Sequence, residues 1–201
     1  ETQFSTTTQL RGEVLFQLGD SFGDSVEEDE NSDRSQTFLG YRTRLNFDTS
    51  FTGKDLLRTR IESLDIANLE DVTGAFTSRL GTDGSSNNQA RVQLIYNFPV
   101  GESTEVFVST TNLGSNDIGQ TVNPLSSSGR GAVSRFGRRD PLTLRGPGGA
   151  GIGIQHEFND YLEANIGYTA DGDDAGDPDV GRGLFNGSYS AIAQLFIEPS
   201  D

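Results

Sequence analysis

Arginine recurs at alternate positions along this chain. Arg42 and Arg44 stand two residues apart, as do Arg58 and Arg60, and Arg11 and Arg91 sit in segments of the same pattern. A period of two places such residues on one face of a β-strand. The short segment 52–55 brings the two arginine pairs onto neighbouring strands. Like charges so placed cost stability unless they face water or acids. Glu13, Asp48 and Glu62 share their parity and can pair with them. The chemistry open to such a wall is electrostatic: it attracts anions and orients dipolar solutes. The plainer alternative is a solvated sheet face balanced by salt bridges worth about 0–1 kcal/mol each.

A second basic set lies in the segment 112–148. It holds Arg130, Arg135, Arg138, Arg139 and Arg145, with Phe136, Leu142 and Leu144 as expected anchors. A connection this long is functional or disordered. Folded over the arginine face, it would form a constriction whose basic residues meet anions or sugar hydroxyls. Left outside, its arginines would pair with acidic loops instead.

Other chemistry is poorly served. The single histidine, His156, falls on an apolar face, and the chain has no cysteine. No Ser-His-Asp arrangement, phosphate-binding glycine loop or metal-ligand spacing is present. An enzyme is not expected, and no cofactor is implied. Asp171, Asp173 and Asp177 sit in a stretch that superficially resembles a calcium loop but lacks its closing glutamate. They are weak divalent-cation candidates, and a solvated, charge-repelled loop is the stronger reading. A further acidic run, 20–34, contributes to the net charge of −15. All but one of the 15 basic residues are arginine, yet they form no exposed stripe with aromatics, so nucleic acid is not an expected partner.

The elements that must position these residues are eight amphipathic runs: 9–18, 37–51, 56–64, 91–99, 104–111, 149–158, 161–169 and 187–197. Inside each of them apolar residues fall on alternate positions. Leu39, Tyr41, Leu45 and Phe47 oppose Arg42, Arg44, Asn46 and Asp48, for example. The connections alternate strictly between long and short. Strands joined this way form an up-and-down antiparallel sheet, with tight turns on one rim and large loops on the other. That is the layout of an outer-membrane β-barrel with a polar interior and a lipid-facing exterior. Hydrophobic content of 32% is low for a large soluble all-β core and suits a barrel. No window approaches the apolar length of a transmembrane helix. A secreted β-sandwich is the soluble rival.

Four ordered blocks sharpen the reading. Leu45-Asn46-Phe47-Asp48-Thr49-Ser50-Phe51-Thr52-Gly53-Lys54-Asp55-Leu56-Leu57-Arg58-Thr59-Arg60 is the longest. The others are Ser134-Arg135-Phe136-Gly137-Arg138-Arg139, Pro147-Gly148-Gly149-Ala150-Gly151 and Gly183-Leu184-Phe185-Asn186-Gly187-Ser188-Tyr189-Ser190-Ala191. Together they resemble the cyanobacterial outer-membrane porins of the OprB-like "iron uptake porin" group. The resemblance implies an all-β transmembrane barrel of about sixteen strands. Residues 1–201 would be a single porin domain forming its first half, without the S-layer-homology domain and the later strands. It implies an integral outer-membrane location, outer-membrane lipid as surroundings and passive diffusion of small solutes. Inorganic ions including iron species, and small carbohydrates, are the candidate solutes. Porins of this shape are often homotrimers. On this reading Arg11, Glu13, Arg42, Arg44, Arg58, Arg60, Glu62 and Arg91 line the pore. Arg130, Arg135, Phe136, Arg138, Arg139 and Arg145 form the constriction loop. The rival function is a non-channel structural or cation-binding envelope β-protein.

Overall fold

The alternation of apolar and polar residues is realised as strand. A computed structural model describes residues 8–22, 36–87 and 89–198. The strands are β1 (Thr8–Gly19), β2 (Phe38–Thr49), β3 (Leu56–Ile66), the two-residue β4 (Gly84–Ser85), β5 (Arg91–Pro99), β6 (Thr104–Leu113), β7 (Gly149–Asn159), β8 (Leu162–Asp171) and β9 (Tyr189–Ile197). Five single-turn helices sit in the connections: α1 (Glu70–Thr73), α2 (Ser115–Ile118), α3 (Pro141–Leu144), α4 (Gly172–Ala175) and α5 (Gly183–Asn186). The eight long strands form one antiparallel sheet in chain order, β1-β2-β3-β5-β6-β7-β8-β9, with β4 attached to the end of β3. The order is linear, and no pair joins β1 to β9 among the described residues. The long connection between the runs 56–64 and 91–99 carries α1, a 3-10 turn at Phe76–Ser78 and β4.

The register turns the arginine pattern into rows of side chains running across strands. Glu13, Arg44, Glu62 and Arg91 are successive partners across β1, β2, β3 and β5. In the adjoining row Arg11, Asn46, Arg60 and Gln93 are partners. Acid and base alternate in the first row, which relieves the repulsion that the sequence pattern alone would create.

The opposite face is apolar and uncovered. Phe16, Leu18 and Leu39 are each 73% exposed, and Val14, Ile166, Leu195 and Ile197 are exposed beside them. On a soluble sandwich this face would be a core. Here the few buried apolar side chains include Leu64, Ile66, Leu113, Ile118 and Leu144. Those on strands come from the arginine side or a strand end, and Ile118 and Leu144 belong to the connection after β6. An exposed apolar face of this extent is one that lipid can solvate. Aromatic side chains band it at both rims. Phe51, Tyr96 and Phe98 cluster at the tight-turn rim, with ring centroids 6.3 and 5.3 Å apart, and His156 packs edge-on to Phe158 at 4.7 Å. Tyr168, Phe185 and Tyr189 cluster at the long-loop rim. Such bands match the two interfacial girdles of a transmembrane barrel.

The turn between β2 and β3 is organised by Asp55, which is 6% exposed. Its carboxylate accepts from the Ser50 hydroxyl at 2.9 Å, the Phe51 amide at 3.1 Å, the Thr52 amide at 2.7 Å, the Thr52 hydroxyl at 2.6 Å and the Tyr96 hydroxyl at 3.0 Å. Gly53, at φ 83°, supplies the left-handed residue that closes the turn. The Thr52 hydroxyl, then the Thr52 amide, Ser50 and Tyr96, hold the Asp55 carboxyl well below the usual carboxylate range, against the effect of burial. A depressed folded-state pKa stabilises above the unfolded pKa, about 3.9, and that stabilisation fades as pH falls below it. Thermal melts from pH 6 to 2 should therefore lose more stability in the natural protein than in Asp55→Asn, which starts lower. Separately, Leu45→Arg should destabilise the membrane-embedded protein by about 2–4 kcal/mol if it lies near the bilayer midplane. Denaturant unfolding from vesicles measures this.

Candidate functional site

The site is assembled where the connection after β6 folds back across the arginine face. A bulge starts it. Pairing with β5 shifts register between Leu94 and Ile95, pairing with β7 shifts between Ser109 and Leu113, and Asn112 takes φ 58°. The chain then leaves the sheet instead of continuing up to the rim.

Its first anchor is Ile118, which is fully buried. Gly153 and Gly167 are register partners on β7 and β8. A Cβ on Gly153 would lie 2.6 Å from Ile118 Cγ1, and one on Gly167 would lie 2.4 Å from Ile118 Cδ1. The two missing side chains therefore make the socket that Ile118 fills. Hydrogen bonds fix the same stretch to three strands. Gln155 Nε2 donates to the Ile118 carbonyl at 2.6 Å, and the Gln120 amide donates to Gln194 Oε1 at 2.7 Å. Gln120 Nε2 donates to Glu163 Oε1, also at 2.6 Å, and the Ser115 and Ser190 hydroxyls lie 2.9 Å apart.

The second anchor lies at the far side of the sheet. Arg42, only 2% exposed, sits between its register partners Leu15 and Leu64. It donates from Nη2 to Glu13 Oε1 at 2.6 Å and from Nη1 to Ser128 Oγ at 3.0 Å. Arg44 donates to the same Ser128 oxygen at 2.9 Å and pairs with Glu62. Ser128 thus ties the crossing segment to two strand arginines at once. A third set of contacts joins the segment to the connection after β3. The Gly81 amide donates to the Val133 carbonyl at 2.7 Å, and the Arg135 amide donates to the Arg79 carbonyl at 3.0 Å. Asp83, with a side chain only 1% exposed, takes Arg79 at 3.0 Å and Arg135 at 3.4 Å. Phe136 packs edge-on to Phe76 at 5.1 Å.

These contacts close a cleft of about 300 Å³ walled by Arg42, Arg44, Arg60 and Arg91 from the strands and by Arg135, Arg138, Arg139 and Arg145 from the crossing segment. Arg138 donates to the Ser126 carbonyl at 3.0 Å and also to the Gly81 carbonyl. Burial first, then the neighbouring guanidiniums, pushes Arg138 and Arg145 down to about 10, so both stay charged at neutral pH. Beside this cleft Asp117 accepts from the Gly114 amide at 2.9 Å. Burial pushes its carboxyl up, against the pull of Gly114 and of Arg60, Arg139 and Arg58.

A family model described as carbohydrate-selective porin, OprB family, matches residues 1–201. The chain belongs to this family. An uncharacterized protein of Synechocystis sp. is 39% identical over 202 residues, covering 99% of this chain and 36% of that relative. One of Nostoc sp. is 31% identical over 220 residues, again covering 99% and 36%. The chain thus spans about a third of the length of the curated relatives it matches. No solved structure matches it significantly.

The expected residues divide in this geometry. Arg42, Arg44, Arg60, Glu62 and Arg91 meet Arg135, Arg138, Arg139 and Arg145 at the cleft. Arg58 is held by Asp48 at 2.8 Å, nearer the tight-turn rim, and the exposed Arg11 also approaches Asp48, at 3.9 Å. Glu13 acts through Arg42. Arg130 is exposed and does not wall the cleft. Of the expected anchors, Leu144 is buried, but Leu142 is 91% exposed. The two stand two residues apart on the α3 turn, which points them to opposite sides. Asp171 caps α4 by accepting from the Asp173 amide at 2.9 Å, and Asp177 takes Arg182 at 3.0 Å. Among the described residues no three acids or histidines gather as metal ligands. Most of the acidic run 20–34 lies outside the described residues.

Ser128, Asp83, Asp117 and the Ile118 socket carried no distinctive sequence signal, since each depends on a partner far along the chain. The socket is directly testable. Ile118→Ala should loosen the crossing segment by about 2–5 kcal/mol. Gly167→Val should expel it more completely, because the new side chain occupies the same space. Hydrogen exchange and proteolysis within 114–148 should both rise. Unaltered protection in Gly167→Val would show that the socket does not hold the segment.

Proposed function

We propose that the chain forms part of a passive diffusion channel of the outer membrane. Its polar face and crossing segment would line and narrow the lumen, and its apolar face would meet lipid. Small carbohydrates are the first candidate solutes, in keeping with the family, and inorganic ions including iron species are the others. The mechanism is transport without chemistry: solutes diffuse down their gradient, sorted by size and by the local field. The observation that carries this reading is the segment 114–148 lying across the arginine face while the opposite face stays apolar and exposed. Lipid does not tolerate unpaired strand edges. In a membrane the free edges of β1 and β9 must therefore find partners.

Size selection comes from the cleft and charge selection from its walls. Although the chain is strongly acidic, the guanidiniums gather where the crossing segment narrows the face. A lumen focuses the field of its nearest charges, so the narrow point rather than the net charge decides which ions pass.

The complete natural polypeptide in a planar bilayer should show anion preference in a salt gradient. The preference should weaken between about 0.1 and 1 M salt, as the Debye length falls from about 10 to 3 Å. Replacing Arg135, Arg138 and Arg139 together by serine should shift selectivity toward cations and raise conductance. Unchanged selectivity would place the segment outside the pore. Cation preference in the natural channel would mean that the acidic loops dominate, favouring a cation or iron route.

A further inference from the structure

The cleft holds more positive charge than its own residues neutralise. Eight guanidiniums wall it, against two carboxylates, Glu62 and Asp83, with the buried Asp117 beside it near Arg60 and Arg139. Three of the eight have acidic partners: Arg44 with Glu62, Arg135 with Asp83, and Arg42 with Glu13 outside the cleft wall. The other five have no carboxylate within 4 Å among the described residues. Arg60 donates to the Asn46 side chain at 2.7 Å, Arg145 to the Arg135 carbonyl at 3.0 Å, and Arg91 and Arg138 to backbone carbonyls. The Arg139 side chain donates no hydrogen bond among the described residues.

Two further details point to a missing acceptor. The Nε atoms of Arg139 and Arg145 are buried and lack a hydrogen-bond partner. Buried donors without acceptors are rare in folded proteins, and those of a charged group are the most costly to leave so. Arg42, itself almost wholly buried, has an unpartnered Nε on the same wall. A passing neutral sugar can offer hydroxyl oxygens but no charge. Chloride can offer charge but only a single centre. A phosphate group offers two negative charges and several oxygens, and guanidinium forks bind it in pairs.

We propose that this cleft is a discrete, saturable binding site for a dianionic phosphate group, held between Arg139 and Arg145 of the crossing segment and Arg91 of the facing strand. The group is either free phosphate or the monoester of a small sugar, and both share the chemistry that the site recognises. The inference rests on the inward-folded segment of the proposed channel and adds binding to what that reading treats as a passive field. A saturable site raises flux at low solute concentration and limits it at high concentration.

The test uses the complete natural polypeptide in detergent, titrated calorimetrically with inorganic phosphate, glucose 6-phosphate or glucose in a chloride buffer. Phosphate should bind saturably, and Arg139→Gln should weaken it about tenfold or more, the worth of one charged hydrogen-bonding partner. Among the described residues the Arg139 side chain makes no hydrogen bond, so its loss leaves the hydrogen bonds that anchor the segment intact. Arg91→Gln, on the facing wall, should weaken binding likewise, whereas Arg182→Gln, outside the cleft, should not. Tighter binding of glucose 6-phosphate than of phosphate assigns the site to sugar monoesters, and the reverse order assigns it to the free ion. Failure of phosphate to bind, or equal binding in Arg139→Gln and Arg91→Gln, would overturn the proposal. Single-channel recording separates it from the channel reading. A conducting protein without phosphate binding loses the site alone. A phosphate-binding protein that never conducts keeps the site and loses the channel.

Discussion

The charge of Arg42 is the constraint from which most of this architecture can be traced. Its side chain lies between Leu15 and Leu64 on neighbouring strands, with almost no access to water. An unpaired charge in that position would cost several kcal/mol. Glu13 supplies the counter-charge and Ser128 supplies a second acceptor. The strand face alone provides the first partner but not the second. The connection after β6 crosses the sheet and delivers that second acceptor, Ser128. That crossing explains why the arginine face, polar by composition, is also the side on which buried apolar residues such as Ile118 are found.

Two kinds of contact share the work of holding the crossing segment. Near its start, shape dominates: Ile118 enters the hollow left by Gly153 and Gly167, and amide side chains from β7 and β9 lock it there. Toward its middle, charge dominates, through Ser128 with Arg42 and Arg44, and through Asp83 with Arg79 and Arg135. The apolar anchor has no charge for salt to screen, whereas the charged ones weaken where water reaches them. The result is a rigid crossing element that carries more guanidiniums than its own acids can match. A positive field at the crossing segment is then a consequence of the fold.

Much of this was legible from sequence because strand parity is a strong rule. Parity alone assigns Arg42, Arg44, Arg58 and Arg60 to one face, opposite Leu39, Leu45 and Ile61. The short segment 52–55 then fixed which pairs would be neighbours. The length and the arginines of the long connection point to its crossing, with no local signal beside them. What stayed hidden depends on partners distant in sequence. Ile118 is an ordinary apolar residue until the glycines at 153 and 167 are found opposite each other, and those glycines look like strand irregularities until Ile118 fills them. Asp83 reads as one more acid in an acidic chain, yet its burial makes it the junction between two connections. The exposure of Leu142 and of Arg130 was equally out of reach, since it follows from how single turns point within a segment that has no period.

The central claim is that the segment after β6 lies across the polar face rather than outside the sheet. The most direct test joins that segment to a strand three positions away. The chain contains no cysteine. Ser115→Cys with Ser190→Cys places two thiols where hydroxyls lie 2.9 Å apart, on the crossing segment and on β9. In the complete natural polypeptide, assembled in membranes and mildly oxidised, an intramolecular disulfide should form readily in the double variant and block alkylation of both thiols. Two thiols that remain free and alkylatable in folded, membrane-inserted protein would contradict the account.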